Sequence, residues 1–184
     1  EGKLIDIDEI ECLTLHSLLS FFFPNSKTKI INKKVLKDNI NDLVYSELNN
    51  STIDFFSLDI DGNDYWVLKE LNLNKINVIC CEYNNYMGNN VKKTIPYNPD
   101  HKFENNGCNG ASLGAMADLL ENKGFSLIAV ESSGTNAFFV KNEFTHYFKV
   151  LSASKSWRAV DRNNSDKQIE LIKNSVKNYK FIEL

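Results

Sequence analysis

Ser57-Leu58-Asp59-Ile60-Asp61-Gly62-Asn63-Asp64 sets the fold class of this chain: an apolar strand runs into an acid-rich turn and then into a helix. Residues 53–60 have strand character, and Tyr65, Val67, Leu68 and Leu71 follow at helical spacing. Residues 3–7, 29–32 and 77–82 are compact apolar segments of the same kind. The first precedes Ile10, Leu13, Leu15, Leu18, Leu19 and Phe22, a helical face ended by Pro24; the second precedes Leu36, Ile40, Leu43, Val44 and Leu48, ended by Asn49-Asn50. Near-continuous apolar strands alternating with amphipathic helices predict an α/β fold with a mostly parallel sheet covered on both faces. Right-handed crossovers then make each unit a βαβ unit.

Residues 84–109 break the alternation. They are rich in Asn, carry Gly88, Pro96, Pro99 and Gly107, and form a long irregular insertion after a strand, where loops are functional or mobile. A helix follows, with Ser112 or Asn109 as cap, Leu113, Met116, Ala117 and Leu120 as its buried face, and Gly124 at its end. Residues 125–130 and 137–140 predict a C-terminal antiparallel hairpin closing the sheet, and a further helix is expected near residues 167–176. The expected organisation is one α/β domain over residues 1–141 and an extension, 142–184, packing on the same domain.

With 184 residues the chain is long enough for one full core. The longest apolar stretch, near residues 18–23, stops at Pro24, far short of the roughly 20 residues a membrane helix needs, and no secretory leader is visible. Net charge is −3, but from Lys141 onward nine Lys/Arg face five Asp/Glu. That basic segment lacks a dense run or interleaved aromatics, so a solvated surface is expected rather than a nucleic-acid site. Cys12, Cys80, Cys81 and Cys108 form no CxxC pair; Cys80 and Cys81, inside an apolar run, read as small core residues, and a cytoplasmic or other reducing intracellular compartment is expected.

In an open parallel sheet ligands bind beyond the carboxyl ends of the strands. Three such ends carry acids here: Asp6 with Asp8, Asp59 with Asp61, and Glu82. An EF-hand reading of the central turn fails on register, because Gly62 is fourth from Asp59 where the loop needs it sixth. A magnesium site on Asp59, Asp61 and Asp64 stays open, as for a magnesium-dependent hydrolase, although Lys69 is the only cation nearby. His101, in the insertion, is the one histidine suited to acid–base work. Tyr83, Tyr86 and Tyr97 surround the insertion and suit a substrate cleft.

Residues 53–66, Ile-Asp-Phe-Phe-Ser-Leu-Asp-Ile-Asp-Gly-Asn-Asp-Tyr-Trp, resemble the core motif of FkbM-like methyltransferases, which depend on S-adenosylmethionine (SAM). The likeness continues in order through Cys81-Glu82-Tyr83-Asn84, Pro96-Tyr97-Asn98-Pro99, Gly110-Ala111-Ser112-Leu113, Lys123-Gly124-Phe125-Ser126-Leu127 and Asn136-Ala137-Phe138-Phe139-Val140, spanning about residues 2–141. The resemblance implies a Rossmann-like class I methyltransferase sheet. It places Asp6 and Asp8 at the SAM ribose, residues 34–36 near the adenine, and Ser57 and Asp59 beside the methyl-transfer centre. Asp61, Glu82 and His101 are then the candidate catalytic groups. Asn63, Asp64, Tyr83, Asn84, Tyr97, Ser112 and Asn136 are the candidate substrate contacts, with no metal. The implied reaction is O-methylation of a sugar or other small polar metabolite.

One departure from the family pattern stands out: nothing corresponds to its first strand and Gly-rich SAM loop, and Glu1-Gly2 directly precedes what should be the second strand. The expectations are a chain completed by another polypeptide or by an N-terminal segment, a trimmed chain, or an inactive methyltransferase-like structural subunit of a larger assembly. The expected partners are therefore a small-molecule or glycan acceptor and whatever completes the sheet, with no nucleic acid and no membrane.

Overall fold

The computed structural model describes residues 2–46, 48, 51–159 and 165–184. Strand β1 (Lys3–Asp6) leads into helix α1 (Glu9–Phe22), whose start is fixed by Asp8: its carboxylate accepts from the backbone N–H groups of Ile10 (2.8 Å) and Glu11 (3.0 Å). Two donors that the helix itself leaves unpaired are thereby satisfied. Strand β2 (Lys29–Asn32) pairs with β1 in parallel, Leu4 opposite Ile30 and Ile5 opposite Ile31. Helix α1 turns Cys12, Leu15 and Leu19 inward; Ile10, Leu13, Leu18, Phe21 and Phe22 stay exposed.

The helix expected after β2 is shorter than the apolar spacing predicts. Only α2 (Ile40–Tyr45) is helical, because the Asn39 side chain accepts from Leu36 N–H (2.8 Å) and donates to the Lys34 carbonyl (2.9 Å), holding residues 34–39 in a turn. The predicted Asn49-Asn50 stop lies outside the described residues.

Strand β3 (Ile53–Leu58), helix α3 (Asp64–Glu70) and strand β4 (Ile76–Glu82) form the central βαβ unit, β3 parallel to β4 with Phe56 opposite Ile79 and Leu58 opposite Cys81. Strand β5 (Lys93–Thr94) lies in the insertion. Helix α4 (Leu113–Asn122) is capped by Ser112, whose hydroxyl accepts from Ala115 N–H (3.2 Å). Strands β6 (Phe125–Val130) and β7 (Asn136–Lys141) form the expected hairpin, and β7 inserts between β4 and β6, giving the order β3-β4-β7-β6. The core lies on one face of this sheet. Val67, Leu68 and Leu71 of α3 and Leu113, Met116 and Leu120 of α4 pack on Leu58, Ile79, Leu127 and Phe139. Alternation along β3 turns Phe55 to the opposite face, where it is 55% exposed.

A single, mostly parallel sheet is not what forms. The strands divide into a parallel pair, β1-β2, a mixed four-stranded sheet, and a small antiparallel pair of β5 with β8 (Ile182–Glu183). The reason is local. Among the described residues β1 pairs as a strand only with β2, and β3 only with β4, so the sheet is interrupted between β1 and β3, while the hairpin makes its far side antiparallel. Helix α2 ties the two parts. Lys3 Nζ donates to the Leu43 carbonyl (3.2 Å), and Asn41 exchanges hydrogen bonds with the Glu70 carbonyl and Asn72 N–H at the end of α3.

Beyond β7, the chain forms a 3-10 turn (Asn142–Tyr147), then α5 (Ala153–Ser156) and α6 (Asp166–Asn178). The start of α6 is a capping box between Ser165 and Gln168. The ion pair between Lys93 and Glu183 (2.9 Å) joins β5 to β8, with Glu183 largely exposed. Because exposed pairs contribute little, Glu183→Gln is expected to change unfolding free energy by less than about 1 kcal/mol, read by urea denaturation.

Candidate functional site

The turn after β3 is built around one buried carboxylate. Asp64 opens α3, is 1% exposed, and accepts from Ile60 N–H (3.1 Å) and Gly62 N–H (3.0 Å), closing the loop that carries Asp59 and Asp61. Burial pushes its pKa up to about 6. The backbone donors of Gly62 and Ile60 oppose that rise, and the charge of Asp59 adds to it. Asp61 sits at φ 58°, a left-handed conformation that Asp and Asn tolerate better than most residues, and this turns its exposed side chain outward.

Gly62 has no room for a side chain. A Cβ there would lie 2.6 Å from Nε2 of His101, whose ring covers the turn. That Nε2 is buried and has no hydrogen-bond partner among the described residues. Gly62→Ala is expected to displace His101 and cost about 1–3 kcal/mol, measured by thermal unfolding.

The insertion after β4 folds back through its asparagines. Asn84 accepts from Tyr86 N–H (2.9 Å) and donates to the carbonyls of Gly107 and Asn109 (both 2.7 Å). Asn85 donates to the Gly134 carbonyl (2.6 Å). Asn63 donates to the Asn98 carbonyl (2.7 Å) and accepts from Asn98 N–H (3.3 Å), while Trp66 Nε1 donates to the Ile95 carbonyl (2.8 Å). From there residues 95–101 cross toward the end of β2. Lys37 stands 4.6 Å above the Tyr97 ring and Lys34 is 3.7 Å from Asp100. This segment therefore reaches both parts of the interrupted sheet on its carboxyl-terminal side.

A cleft of about 320 Å³ opens at the ends of β3 and β4. Asp59, Asp61 and Glu82 line it, with oxygen atoms within 4.8 Å of one another, together with Tyr83, Asn84, Asn85, Tyr86, Phe103, Asn105, Gly107, Asn109 and Thr135. Three acids this close favour a ligand that brings positive charge or hydrogen-bond donors.

Of the candidates from sequence, the cleft gathers Asp59, Asp61, Glu82, Tyr83, Asn84 and Tyr86. Asn63 and Asp64 lie buried behind the turn. His101 is against Gly62, and Tyr97 is under Lys37. Ser112 is fully buried at the head of α4, donating to the Val91 carbonyl (2.7 Å). Asn136 donates to Glu131 (2.9 Å), and this bond, with that from Thr135, holds the Glu131 carboxyl below its usual range. Asp6, at the end of β1, accepts from Asp8 N–H (2.7 Å), and Ser57 is exposed on β3 next to Cys80. Asn85, Phe103, Asn105 and Thr135 line the cleft without having been singled out from sequence, and Asn109, expected as a possible cap of α4, lines it while Ser112 is the cap. The only signal for the first four is the Asn-rich composition of the insertion and the turn before β7.

Compared with known families, residues 2–127 match the Methyltransferase FkbM domain. None of the curated proteins and none of the solved structures compared with the chain matches it. Methyltransferases of this kind use SAM. Carboxylates stand at the ends of β1 (Asp6) and β3 (Asp59), a residue type that can accept from hydroxyls or face a positive charge. No Gly-rich strand-to-helix turn accompanies them among the described residues. The ordered strand ends, the acid-bearing turn and the match over 2–127 agree: the chain belongs to the FkbM methyltransferase family.

Proposed function

We propose that this chain forms the acceptor side and the ribose–sulfonium side of a SAM-dependent O-methyltransferase acting on a sugar or other small polar metabolite. The observation that carries the reading is the meeting of Asp59, Asp61 and Glu82 in one cleft at the ligand-binding edge of the sheet. SAM, when bound, supplies a methyl group on a positively charged sulfur. Asp6 and Asp8 would hold its ribose, and Ser57 and Asp59 would lie on the side of the methyl-transfer centre. Asp61 takes the proton of the acceptor hydroxyl on a carboxylate oxygen, with Glu82 as the second acid in reach of the same cleft. His101, whose buried Nε2 has no partner among the described residues, packs on Gly62 behind the turn and stands as the more remote candidate for a proton acceptor. Tyr83 and Asn84 shape the acceptor side, and Asn63, Asp64, Tyr97, Ser112 and Asn136 hold the segments around it. Much of the rate comes from positioning, since transfer is an in-line displacement.

The proposal includes a partner. Among the described residues no strand neighbours the outer edges of β1 and β3, and these edges with the exposed apolar face of α1 suit an added strand, from another chain or from a further segment, that completes the sheet and supplies the rest of the SAM site. The same open edges also favour a second reading, a non-catalytic subunit of a larger assembly.

Incubation with SAM and a panel of methyl glycosides, followed by mass spectrometry for S-adenosylhomocysteine, tests the reading. Methylated glycoside with an equal amount of S-adenosylhomocysteine supports it. No turnover in any arrangement, including with the completing strand supplied, favours the structural role. Magnesium-dependent hydrolysis without SAM would favour a metal at the three carboxylates.

A further inference from the structure

The matched family span ends at residue 127, yet later parts of the chain grip the insertion that walls the cleft. Gly107 lines the cleft and also packs on α6. Its φ is 75°, and a Cβ there would stand 2.5 Å from Ile172 Cγ2 and 3.0 Å from Val176 Cγ2. Ile172 is the buried residue of α6, at 5% exposure. The Gly107 carbonyl accepts from Asn84, another cleft residue, so contact passes from α6 through Gly107 to the end of β4.

Two other attachments act on the same insertion. Trp157 Nε1 donates to the Asn85 carbonyl (3.1 Å). Strand β8 pairs with β5, and Leu184 N–H donates to the Lys92 carbonyl (2.9 Å). The insertion is also bonded to Asn63, Trp66 and Ser112, but a loop with few apolar residues opens locally at lower cost than the core, so added attachments matter. Here its beginning, middle and return are each fastened by the C-terminal segment.

We infer that the C-terminal segment is the positioning element of the acceptor cleft, with Ile172 and Val176 of α6 setting the cleft wall through Gly107 and Asn84. These are positioning residues: they touch neither the three carboxylates nor the cleft itself. Calling the cleft the acceptor site rests on the methyltransferase reading above; the mechanical claim does not. Variation in α6 then changes which acceptor fits while the acids at the strand ends stay in place.

The test is hydrogen–deuterium exchange on the full chain, comparing Ile172→Ala with the conservative Ile172→Val. In Ile172→Ala the amides of Tyr86 and Cys108, bonded to Asn84 and Asn106, are expected to exchange on the order of tenfold faster, while β4 and β7 keep their protection. Ile172→Val should restore the wild-type pattern. Loss of protection confined to α6, a uniform rise across the chain, or equal behaviour of the two variants would each overturn the inference. This readout needs neither cofactor nor acceptor, so it fails or succeeds apart from the methyl-transfer reading. Once turnover is measured, Ile172→Ala should raise acceptor KM severalfold and leave SAM KM unchanged; the opposite split contradicts the inference.

Discussion

Asp61→Asn is expected to lower methyl transfer by roughly 10²–10⁴-fold, the range that positioned general bases contribute, while leaving the unfolding temperature unchanged. The backbone explains why this substitution is clean. Asp61 lies at φ 58°, where asparagine is as well tolerated as aspartate, and its side chain is exposed, so neither strain nor a cavity is introduced. The substitution removes the proton acceptor together with one of the three negative charges in the cleft. Glu82 shares the cleft, with an oxygen within 4.8 Å, and is the group to which the role would pass if turnover survived. S-adenosylhomocysteine formation and thermal unfolding, run on the same preparation, separate chemistry from folding. Full activity in Asp61→Asn together with inactivity in Glu82→Gln would reverse the assignment.

The second large effect concerns pH and stability. Asp64 has its pKa raised by burial to about 6 in the fold, from an unfolded value near 3.8. A raised carboxyl favours the folded state while it is protonated. That contribution is complete below about pH 4 and is lost as pH rises through about 6. At about 1.4 kcal/mol per pK unit, the loss approaches roughly 3 kcal/mol. Wild type measured against Asp64→Asn, which cannot titrate, should therefore lose stability between about pH 4 and pH 7, read as the difference in urea unfolding free energy. A flat difference across that window would mean that the donors of Ile60 and Gly62 hold the buried carboxylate as an anion. The turn carrying Asp59 and Asp61 is closed by this group, so its titration bears on the site as well as on the fold.

The central βαβ unit was legible because β3 and β4 are near-continuous apolar runs and α3 keeps one apolar face, Val67-Leu68-Leu71. The C-terminal hairpin was legible from its short polar turn. The interruption between β1 and β3 was expected too, because nothing in the sequence corresponds to the family's first strand; the pairing of β5 with β8 was not, since strand pairing is a long-range property with no local signal. The length of α2 was also hidden, because Asn39 competes for backbone groups that the apolar spacing assigns to a helix. At the site, the acids at the strand ends could be found because topology places strand ends together. Gly107 and Asn109 could not, because their place in the cleft depends on how Asn84 gathers carbonyls from across the insertion. The packing of α6 on Gly107 likewise joins residues more than sixty positions apart, with no periodic signal linking them.

The central claim is that the carboxyl-terminal ends of β1 and β3 form one ligand edge that receives SAM. At 21.0 kDa the chain suits amide-resolved NMR, which detects even millimolar binding. On titration with SAM, the amide signals of Asp6, Ile7 and Asp8 and of Ser57 to Asp61 should shift together along one saturation curve, and those of α6 and β6 should stay fixed. Shifts confined to other elements, or none at the highest SAM concentration reached, would contradict the account.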